Sequence, residues 1–336
     1  TSANPSARRR PVPMSVKKQP RVVAISGGVG GAKMALGLLH ILPPQQLSVV
    51  VNTGDDFEHL GLRISPDLDT TLYTLADLAN PQTGWGRRNE TWSFLHALEQ
   101  MGGETWFKLG DGDLALHLLR TRRLADGESL TQITADLARQ LGVAAQILPM
   151  SDALVQTRVT TEFGELEFQD YFVRRQCQPR VSALRFAGAE LAQVTLQVRT
   201  VLQDPQLDAI VICPSNPYLS IDPILAVPGM RELLRDTAAP VIAIAPLIGG
   251  AAVKGPTAKI MGELGVPVSS LAVAQHYAGL IDGFVLDVRD RAMETQLELP
   301  TLITDTLMKT LDDRLRLARM TLDFAATLGR TRRVAA

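Results

Sequence analysis

The stretch RVVAISGGVGGAKMALGLLHILPPQQLSVVVNT, residues 21–53, constrains the fold of this chain more than any other segment. RVVAIS is apolar enough for a buried strand, and SGGVGG supplies a glycine turn. AKMALGLLHIL then places apolar side chains on one helical face, and LSVVVNT predicts a second buried strand. A strand, a glycine turn, a helix and another strand predict a parallel sheet with right-handed crossovers.

The remainder of the chain extends this α/β pattern. Residues 70–145 are mostly helical in pattern, which predicts a helical insertion, with Ser129 as the N-cap of its last helix. LVQTRVTTEFGELEFQDYFVRR predicts a β-hairpin that turns around Phe163, Gly164 and Glu165. Three further apolar strands are predicted in DAIVICPSNP, PVIAIAPLIGG and DGFVLDVRD. The segment TDTLMKTLDDRLRLARMTLDFAATL predicts a long C-terminal helix. We expect a disordered basic tail over residues 1–20 and a single α/β domain over residues 21–330.

Composition excludes several classes of protein. The 336 residues carry 34 basic and 35 acidic side chains, for a net charge of -1, so nucleic acid is not expected as a partner. Every apolar run is interrupted before it could span a bilayer, so no membrane partner is expected either. Two cysteines without a zinc spacing fit a reducing, cytoplasmic location, and five scattered histidines make a zinc site improbable.

The segment VVNTGDDFEHLGLRISPDLDT, residues 50–70, has an unusual density of acidic side chains. Asp55 and Asp56 follow the second strand, while Asp67 and Asp69 precede the next helix. One aspartate at a helix start is ordinary capping, but two acidic clusters near one sheet edge suggest a metal site. Oxygen ligands without His or Cys suit Mg²⁺, which commonly takes one or two carboxylates plus phosphate oxygens.

Three loops could hold phosphate or a nucleotide. SGGVGGAK, residues 26–33, is neither a Walker A loop nor a full G-x-G-x-x-G motif, but its glycines and the following helix N-terminus suit an anion. CPSNP places Ser215 and Asn216 after a strand, where they could bind a base or sugar, although by itself the segment favours a proline-rich turn. Gly249 and Gly250 close another strand and could form a second phosphate cradle with Lys254 and Lys259.

With these residues in place, the chain resembles the 2-phospho-L-lactate transferases (CofD-like) of coenzyme F-420 biosynthesis. The resemblance runs in order from Val22 to about Asp290. It is carried by the segments SGGVGGAK, NTGDDFEHLGLRISPDLDTTLYTLA, NPQTGWG, ETWFKLGDGDLALHLLRT, ILPMSD, FQDYFVRR, PSNPYLSIDPILAVPGMRELL and IGGAAVKGPTAKIM.

The resemblance implies a Rossmann-like core, a Mg²⁺ cofactor and a homodimer. It also implies transfer of a phospho-acid from a guanosine-diphosphate-linked donor to the ribityl hydroxyl of the deazaflavin Fo, with release of GMP. Asp56 and Asp69 would be catalytic, and Asp55, Asp56, Asp67 and Asp69 would hold the metal. Contacts with Fo would come from Asp69, Lys108, His59, Arg63, Trp85 and Arg175. The nucleotide would contact Gly27, Gly28, Gly30, Gly31, Lys33, Ser215, Asn216, Gly249 and Gly250.

Two other functions remain open at the level of sequence. A related branch resembling the gluconeogenesis factor would bind a nucleotide sugar and regulate without catalysis, and we expect it to lack the arrangement ISPDLDT with WFKLGD. An NAD-dependent oxidoreductase would rest on the glycine turn alone. Asn52 stands where that class would need an acidic residue for the ribose. The phospho-acid itself (lactyl, enolpyruvyl or glyceryl) is not determined, because a pocket can discriminate these with one or two side chains.

Overall fold

A computed structural model describes residues 19–82, 84–252 and 255–328. Residues 1–18 of the predicted tail, and Lys254 of the predicted phosphate cradle, lie outside this part. Within the described residues no helix is long and apolar enough to cross a membrane.

Strands and helices alternate along most of the described chain. The strands are β1 (Arg21–Ser26), β2 (Leu47–Val51), β3 (Phe57–His59), β4 (Leu62–Ile64), β5 (Gln146–Pro149), β6 (Gln156–Thr161), β7 (Gly164–Glu167), β8 (Val181–Ala187), β9 (Leu207–Ile212), β10 (Val241–Ile244), β11 (Leu247–Ile248), β12 (Ala251–Ala252), β13 (Gly283–Asp287) and β14 (Thr301–Thr304). The helices are α1 (Gly28–Ile41), α2 (Pro66–Leu75), α3 (Ser93–Gln100), α4 (Asp111–Ala125), α5 (Leu130–Gln140), α6 (Leu196–Leu202), α7 (Asp222–Leu225), α8 (Met230–Asp236), α9 (Thr257–Glu263), α10 (Ser270–His276) and α11 (Leu311–Leu328).

The central sheet of the described chain has seven strands in the order β14-β13-β10-β9-β1-β2-β5, all parallel. Side chains of β1 alternate between two hydrophobic clusters: Val23 and Ile25 belong to one, and Val22 and Ala24 to the other. Because both faces of the sheet are covered by apolar side chains, its strands are apolar throughout. The predicted Rossmann-like α/β fold with a mainly parallel sheet is confirmed.

The predicted helices between residues 70 and 145 correspond to α2, α3, α4 and α5. The first of them begins earlier than predicted, at Pro66, so Asp67 and Asp69 lie in its first turn and do not precede it. Ser129 is the N-cap of α5, as predicted, and forms a capping box with Gln132. The division into a tail and one domain stays a prediction.

The region of the predicted hairpin differs from the sequence-based prediction in two ways. The predicted hairpin is present as β6 and β7, but β8 pairs with β6 on its other side to give a three-stranded antiparallel sheet. The segment DYFVRR was expected to continue the hairpin, and Asp170–Arg174 instead forms a π-helical turn.

The C-terminal helix also begins later than predicted. Asp313 accepts the N–H of Thr310, and Thr310 Oγ1 accepts the N–H of Asp313, which starts the helix after Thr310. The preceding residues Thr301–Thr304 are free to add a strand at the sheet edge.

Candidate active site

The order of the strands locates a crevice beside β1. The chain places β2 and β5 on one side of β1, and β9, β10, β13 and β14 on the other. The carboxyl ends of β1 and β9 therefore flank the topological switch point, where open α/β sheets bind their ligands. SGGVGG follows β1 and CPSNP follows β9, so the sheet brings two of the predicted binding loops together.

Two reciprocal hydrogen bonds join these loops. The N–H of Gly27 donates to Ser215 Oγ at 3.2 Å, and Ser215 Oγ donates to the carbonyl of Gly27 at 2.8 Å. A Cβ atom at Gly30 would clash with the carbonyl oxygen of Pro214, and one at Gly31 would clash with Ser26 Oγ. These two glycines are therefore required by loop packing, apart from any approach to a ligand.

Buried polar atoms at this crevice lack partners. Asn216 Oδ1 accepts the N–H groups of Tyr218 and Leu219, but its Nδ2 has no hydrogen-bond partner in the described part of the chain. The same holds for Ser26 Oγ at the end of β1. Because a buried unpaired polar atom costs about 1–3 kcal/mol, such atoms at a ligand crevice indicate groups that a ligand would satisfy.

The acidic stretch folds back on itself as a small hairpin. Strands β3 and β4 pair antiparallel through a tight turn at Leu60 and Gly61, whose φ angles are 54° and 74°. The hairpin returns the chain to its starting point, so that Ser65 Oγ donates to Asp56 at 2.6 Å. The two acidic clusters, separated in sequence, therefore meet in space.

Asp55 and Asp67 share one amide donor. Asn52 Nδ2 donates to Asp55 at 3.2 Å and to Asp67 at 2.9 Å. Burial raises the pKa of Asp55 well above its ordinary value, and the charge of Asp67 raises it further. Burial also raises the pKa of Asp67 to about 6, although hydrogen bonds from Asn52 and from the Gly28 N–H oppose this rise. Through Gly28, the acidic centre is continuous with the glycine turn.

Asp56 and Asp69 have different surroundings from that pair. Both oxygens of Asp69 accept from the guanidinium of Arg120, a side chain that is 1% exposed. Burial raises the pKa of Asp56 to about 8, against the lowering effect of the Ser65 hydrogen bond and of Arg120. Asp56 Oδ1 is buried and finds no hydrogen-bond partner among the described residues. Asp56 thus keeps one oxygen free in the centre.

The three-stranded sheet fixes the backbone that carries Asp55 and Asp56. The N–H of Thr157 donates to the carbonyl of Gly54 at 2.7 Å. The side-chain amides of Gln156 and Gln169 lie 3.4 Å from the carbonyls of Asp56 and Asp55, respectively. The small sheet therefore holds the loop in place and leaves its carboxylates available.

The predicted metal ligands do not form one complete cage. Within residues 19–82, 84–252 and 255–328, no three His, Cys, Asp or Glu side chains are grouped so that they could hold a metal ion. Two carboxylates are sufficient for Mg²⁺ when phosphate oxygens and water supply the other ligands. The Asp55–Asp67 pair, with its shared donor and mutual repulsion, has the chemistry of such a partial site.

The residues predicted to bind the acceptor differ in burial and in their contacts. His59 is buried against Trp106 with ring centroids 5.1 Å apart, and Lys108 is exposed on the same loop as Trp106. The backbone of Arg63 donates to Thr121 Oγ1 at 2.7 Å. Trp85 is half exposed.

Arg175 lies over the ring of Phe163 and pairs with Asp170 at 3.0 Å. Its neighbour Arg174 instead lies 5.8 Å from the centroid of Trp106. The arginine that contacts the aromatic group beside the acidic centre is therefore Arg174.

Two predicted nucleotide-binding elements already have protein partners. Lys33 Nζ donates to the carbonyl of Met308 at 3.2 Å. The N–H groups of Gly249 and Gly250 each donate to the carboxylate of Asp290 at 3.1 Å. A phosphate could use this second glycine loop only by displacing Asp290, so the geometry favours the first loop for the nucleotide.

Sequence reasoning missed several residues of the centre, namely Asn52, Ser65, Arg120, His117 and Arg174. A signal for two of them existed: His117 and Arg120 follow Leu116 in α4 and share its buried face, where a charged side chain is rare without a partner. Nothing in the sequence identified that partner as Asp69.

Comparisons with known proteins place the chain in a family. The family described as 2-phospho-L-lactate transferase CofD matches residues 22–318. A 2-phospho-L-lactate transferase from Methanosarcina mazei is 41% identical over 277 residues, covering 82% of this chain and 90% of the relative. A phosphoenolpyruvate transferase from Kitasatospora aureofaciens is 40% identical over 300 residues, covering 85% and 93%.

A solved structure has the same fold at low identity. A member of the UPF0052 family from Bacillus halodurans superposes with a TM-score of 0.58 at 15% identity, covering 90% of this chain and 99% of that one. At this identity the likeness concerns the fold alone. The family match over most of the chain, together with the two relatives, shows that the chain belongs to the 2-phospho-L-lactate transferase CofD family.

Proposed function

We propose that the protein transfers a phospho-acid from a guanosine-diphosphate-linked donor to the ribityl hydroxyl of deazaflavin Fo and releases GMP, in coenzyme F-420 biosynthesis. One observation carries the proposal beyond family membership. Asp67 Oδ2 lies against the glycine turn, since a Cβ atom at Gly27 would come within 2.8 Å of it, so the acidic centre and the glycine turn at the switch point form one continuous site. A diphosphate at the turn would lie beside the carboxylates.

The nucleotide half of the site is the crevice between β1 and β9. The first turn of α1 presents backbone N–H groups at its start, and these together with the helix dipole favour an anion. Ser215, Asn216 and Ser26 supply polar atoms for the base, the sugar or the phosphates. This arrangement supports binding of a guanosine diphosphate moiety.

Mg²⁺ fits the Asp55–Asp67 pair. Two buried carboxylates close enough to share one amide donor repel each other, and a divalent cation would remove that repulsion. When bound, the cation would neutralise charge on the diphosphate during phosphoryl transfer.

Asp56 is the best-placed proton acceptor. Its Oδ2 is held by Ser65, its Oδ1 is unpaired, and its pKa of about 8 lies near neutrality, where a general base works best. In the proposed reaction the acceptor hydroxyl oxygen bonds to the phosphorus of the phospho-acid, and the bond from that phosphorus to the GMP oxygen breaks. Asp56 takes the hydroxyl proton, and the product is a phosphodiester.

The acceptor would bind over the hairpin. Phe57, His59, Trp106 and Phe107 pack their rings together beside the acidic centre, and Lys108 extends from the same surface. Aromatic edges and faces of this kind suit a flat heterocycle such as a deazaflavin. Arg63, Trp85 and Arg175 stay proposed as further contacts, with Arg174 added.

A second copy of the chain is the proposed partner for the outer surface of α3. All eight residues of this helix lack full burial, and Trp92, Phe94 and Met101 are exposed around it. Exposed apolar side chains grouped in this way are typical of protein–protein interfaces. This surface supports the proposed homodimer.

The function is tested by incubating the protein with Fo, Mg²⁺ and each of three donors, which carry 2-phospho-L-lactate, phosphoenolpyruvate or 3-phosphoglycerate. We expect GMP release with one donor and a product whose mass equals Fo plus the phospho-acid. The two transferases named above differ in their donor at nearly equal identity, so similarity does not select it. Binding of guanine nucleotide without GMP release from any donor would favour the regulatory alternative.

A further inference from the structure

Arg120 is the most deeply buried charged side chain around the acidic centre. It belongs to α4, is 1% exposed and directs two guanidinium nitrogens at the two oxygens of Asp69. A bidentate pair of this kind fixes the plane of the carboxylate as well as its position. Asp69 therefore has one defined orientation before any ligand binds.

The other polar groups around Arg120 do not compete for it. Asp113 accepts the hydroxyl of Tyr73 at 2.6 Å and lies 3.4 Å from His117 Nε2. His117 Nδ1 lies 3.6 Å from Asp69, on the same side as the guanidinium. Arg120 also lies 3.4 Å from the carbonyl of Arg63 and 3.5 Å from His117 Nδ1, neither of which is a carboxylate. Asp69 is thus the direct carboxylate partner of Arg120 among the described residues.

The pairing divides the four carboxylates into two groups. Asp69 has a fixed cation, and its charge is neutralised within the protein. Asp55 and Asp67 share the neutral amide of Asn52 and form no ion pair within the described residues, so no protein cation neutralises their charge. A divalent cation would gain more from the second group, because its carboxylates need not first be separated from an arginine.

We propose that Arg120 is a positioning residue that holds Asp69 for contact with the acceptor and keeps it out of the cation's ligand set, which Asp55 and Asp67 provide. The proposal rests on the proposed function for the acceptor contact, but not for the division of the carboxylates. Paired with Arg120, Asp69 still has acceptor capacity on each oxygen for a hydroxyl donor.

The division of the carboxylates is tested by calorimetric titration of Mn²⁺ into the protein with GDP present. We expect Asp55→Asn and Asp67→Asn to raise the Mn²⁺ dissociation constant at least tenfold, and Asp69→Asn to change it less than threefold. Equal weakening by Asp69→Asn and Asp67→Asn would overturn the proposal, as would the absence of Mn²⁺ binding by the unaltered protein.

The positioning role is tested with Arg120→Lys and Arg120→Met, and with Arg122→Met as a control on the exposed face of the same helix. We expect Arg120→Lys to lower kcat at least thirtyfold and to leave KM for both substrates within threefold of the unaltered protein. The lysine ammonium keeps the positive charge but cannot form the bidentate pair with the Asp69 carboxylate. Near-normal kcat in Arg120→Lys, or a loss that follows KM alone, would contradict it.

A double variant separates an effect through Asp69 from general damage. We expect Asp69→Asn/Arg120→Met to lose no more kcat than Asp69→Asn alone, whereas independent roles would multiply the two losses. If the unaltered protein releases no GMP from any donor, the proposed function fails, and the Mn²⁺ titration still decides the division of the carboxylates.

Discussion

Two groups of buried aspartates near the ends of the sheet strands show how differently one residue type behaves. Asp287, at the end of β13, is fully buried and accepts hydrogen bonds from Arg289 and from the N–H and hydroxyl of Thr306. Although burial raises its pKa, these hydrogen bonds outweigh it and hold the pKa below its ordinary value. Asp55 and Asp56 are also buried, with 8% and 6% of their surface exposed, but they receive few donors, and their pKa values are raised.

The difference teaches that burial alone does not mark an active site. Asp287 and Asp290 have their charge satisfied by backbone and side-chain donors, so they stabilise loops. The centre, formed by the loop after β2 and the first turn of α2, holds more carboxylates than its donors can satisfy, and it retains the unpaired Asp56 Oδ1. Buried carboxylates without donors lower the stability of the fold, and proteins retain such groups where a ligand or a reaction uses them.

The largest expected effect of a single substitution concerns Asp287, the aspartate whose charge is satisfied by its donors. Asp287→Asn should lower the free energy of unfolding by about 3 kcal/mol, because an amide nitrogen would face donors that now bind a carboxylate. Urea unfolding monitored by circular dichroism measures this change. Asp126→Asn, at the exposed end of α4, is the control and should change it by less than about 0.5 kcal/mol. An unchanged midpoint in Asp287→Asn would remove the distinction between the groups.

A slightly smaller effect is expected on catalysis. Asp69→Asn should reduce turnover about a hundredfold, equivalent to about 2.7 kcal/mol of transition-state stabilisation, since the amide cannot keep the paired geometry with Arg120. GMP release under saturating substrates measures the change, and circular dichroism checks that the fold is intact. Near-normal turnover would contradict the role of Asp69. Removing Mg²⁺ with a chelator should abolish turnover and be reversed by adding it back.

Asp56 and Asp287 should make the free energy of unfolding change with pH in opposite directions. The folded pKa of Asp56 is about 8, above the value near 4 in the unfolded chain, so the folded state binds the extra proton between those values. The free energy of unfolding should therefore rise as pH falls from 8 towards 4, by up to about 1.4 kcal/mol per pH unit for one group.

Asp56→Asn should flatten that slope, and so should Mg²⁺ at the neighbouring Asp55–Asp67 pair, because a nearby cation favours the ionised form of Asp56. Asp287 acts in the opposite direction, and its contribution should be lost only as pH falls through its lowered pKa. Thermal unfolding between pH 5 and 8, with and without Mg²⁺, makes the test. A slope unaffected by Asp56→Asn would show that other groups cause it.

The smallest expected effect is a gain in stability, where Asp287→Asn gives a loss. Asp55→Asn should raise the free energy of unfolding in the absence of metal by about 1 kcal/mol, because it removes one of two repelling charges and keeps an oxygen for Asn52. Matched urea unfolding of Asp55→Asn and Asp287→Asn compares the two directly. Destabilisation of both by similar amounts would show that the two groups do not differ in kind.

Much of the fold could be predicted because it depends on local patterns. Apolar runs ended by Gly, Pro or Asp predicted the strands β1, β2, β9, β10 and β13, and the fold class is confirmed. Strands β8 and β14 were missed, since each is short or half exposed and becomes a strand only by pairing with a neighbour. The start of α11 was placed too early because hydrogen bonds between Thr310 and Asp313 start the helix only after Thr310.

The sequence predicted residues of the candidate site, but not the contacts between them. The sequence determined that four aspartates and a glycine turn follow two adjacent strands, and the family resemblance supplied a reaction. Only the tertiary structure decided that Arg120, 51 residues from Asp69, neutralises one carboxylate, and that Asp290 takes the N–H groups of Gly249 and Gly250. The physical reason is that charge compensation depends on distance in space, and a sequence pattern reports residue types and local periodicity without it.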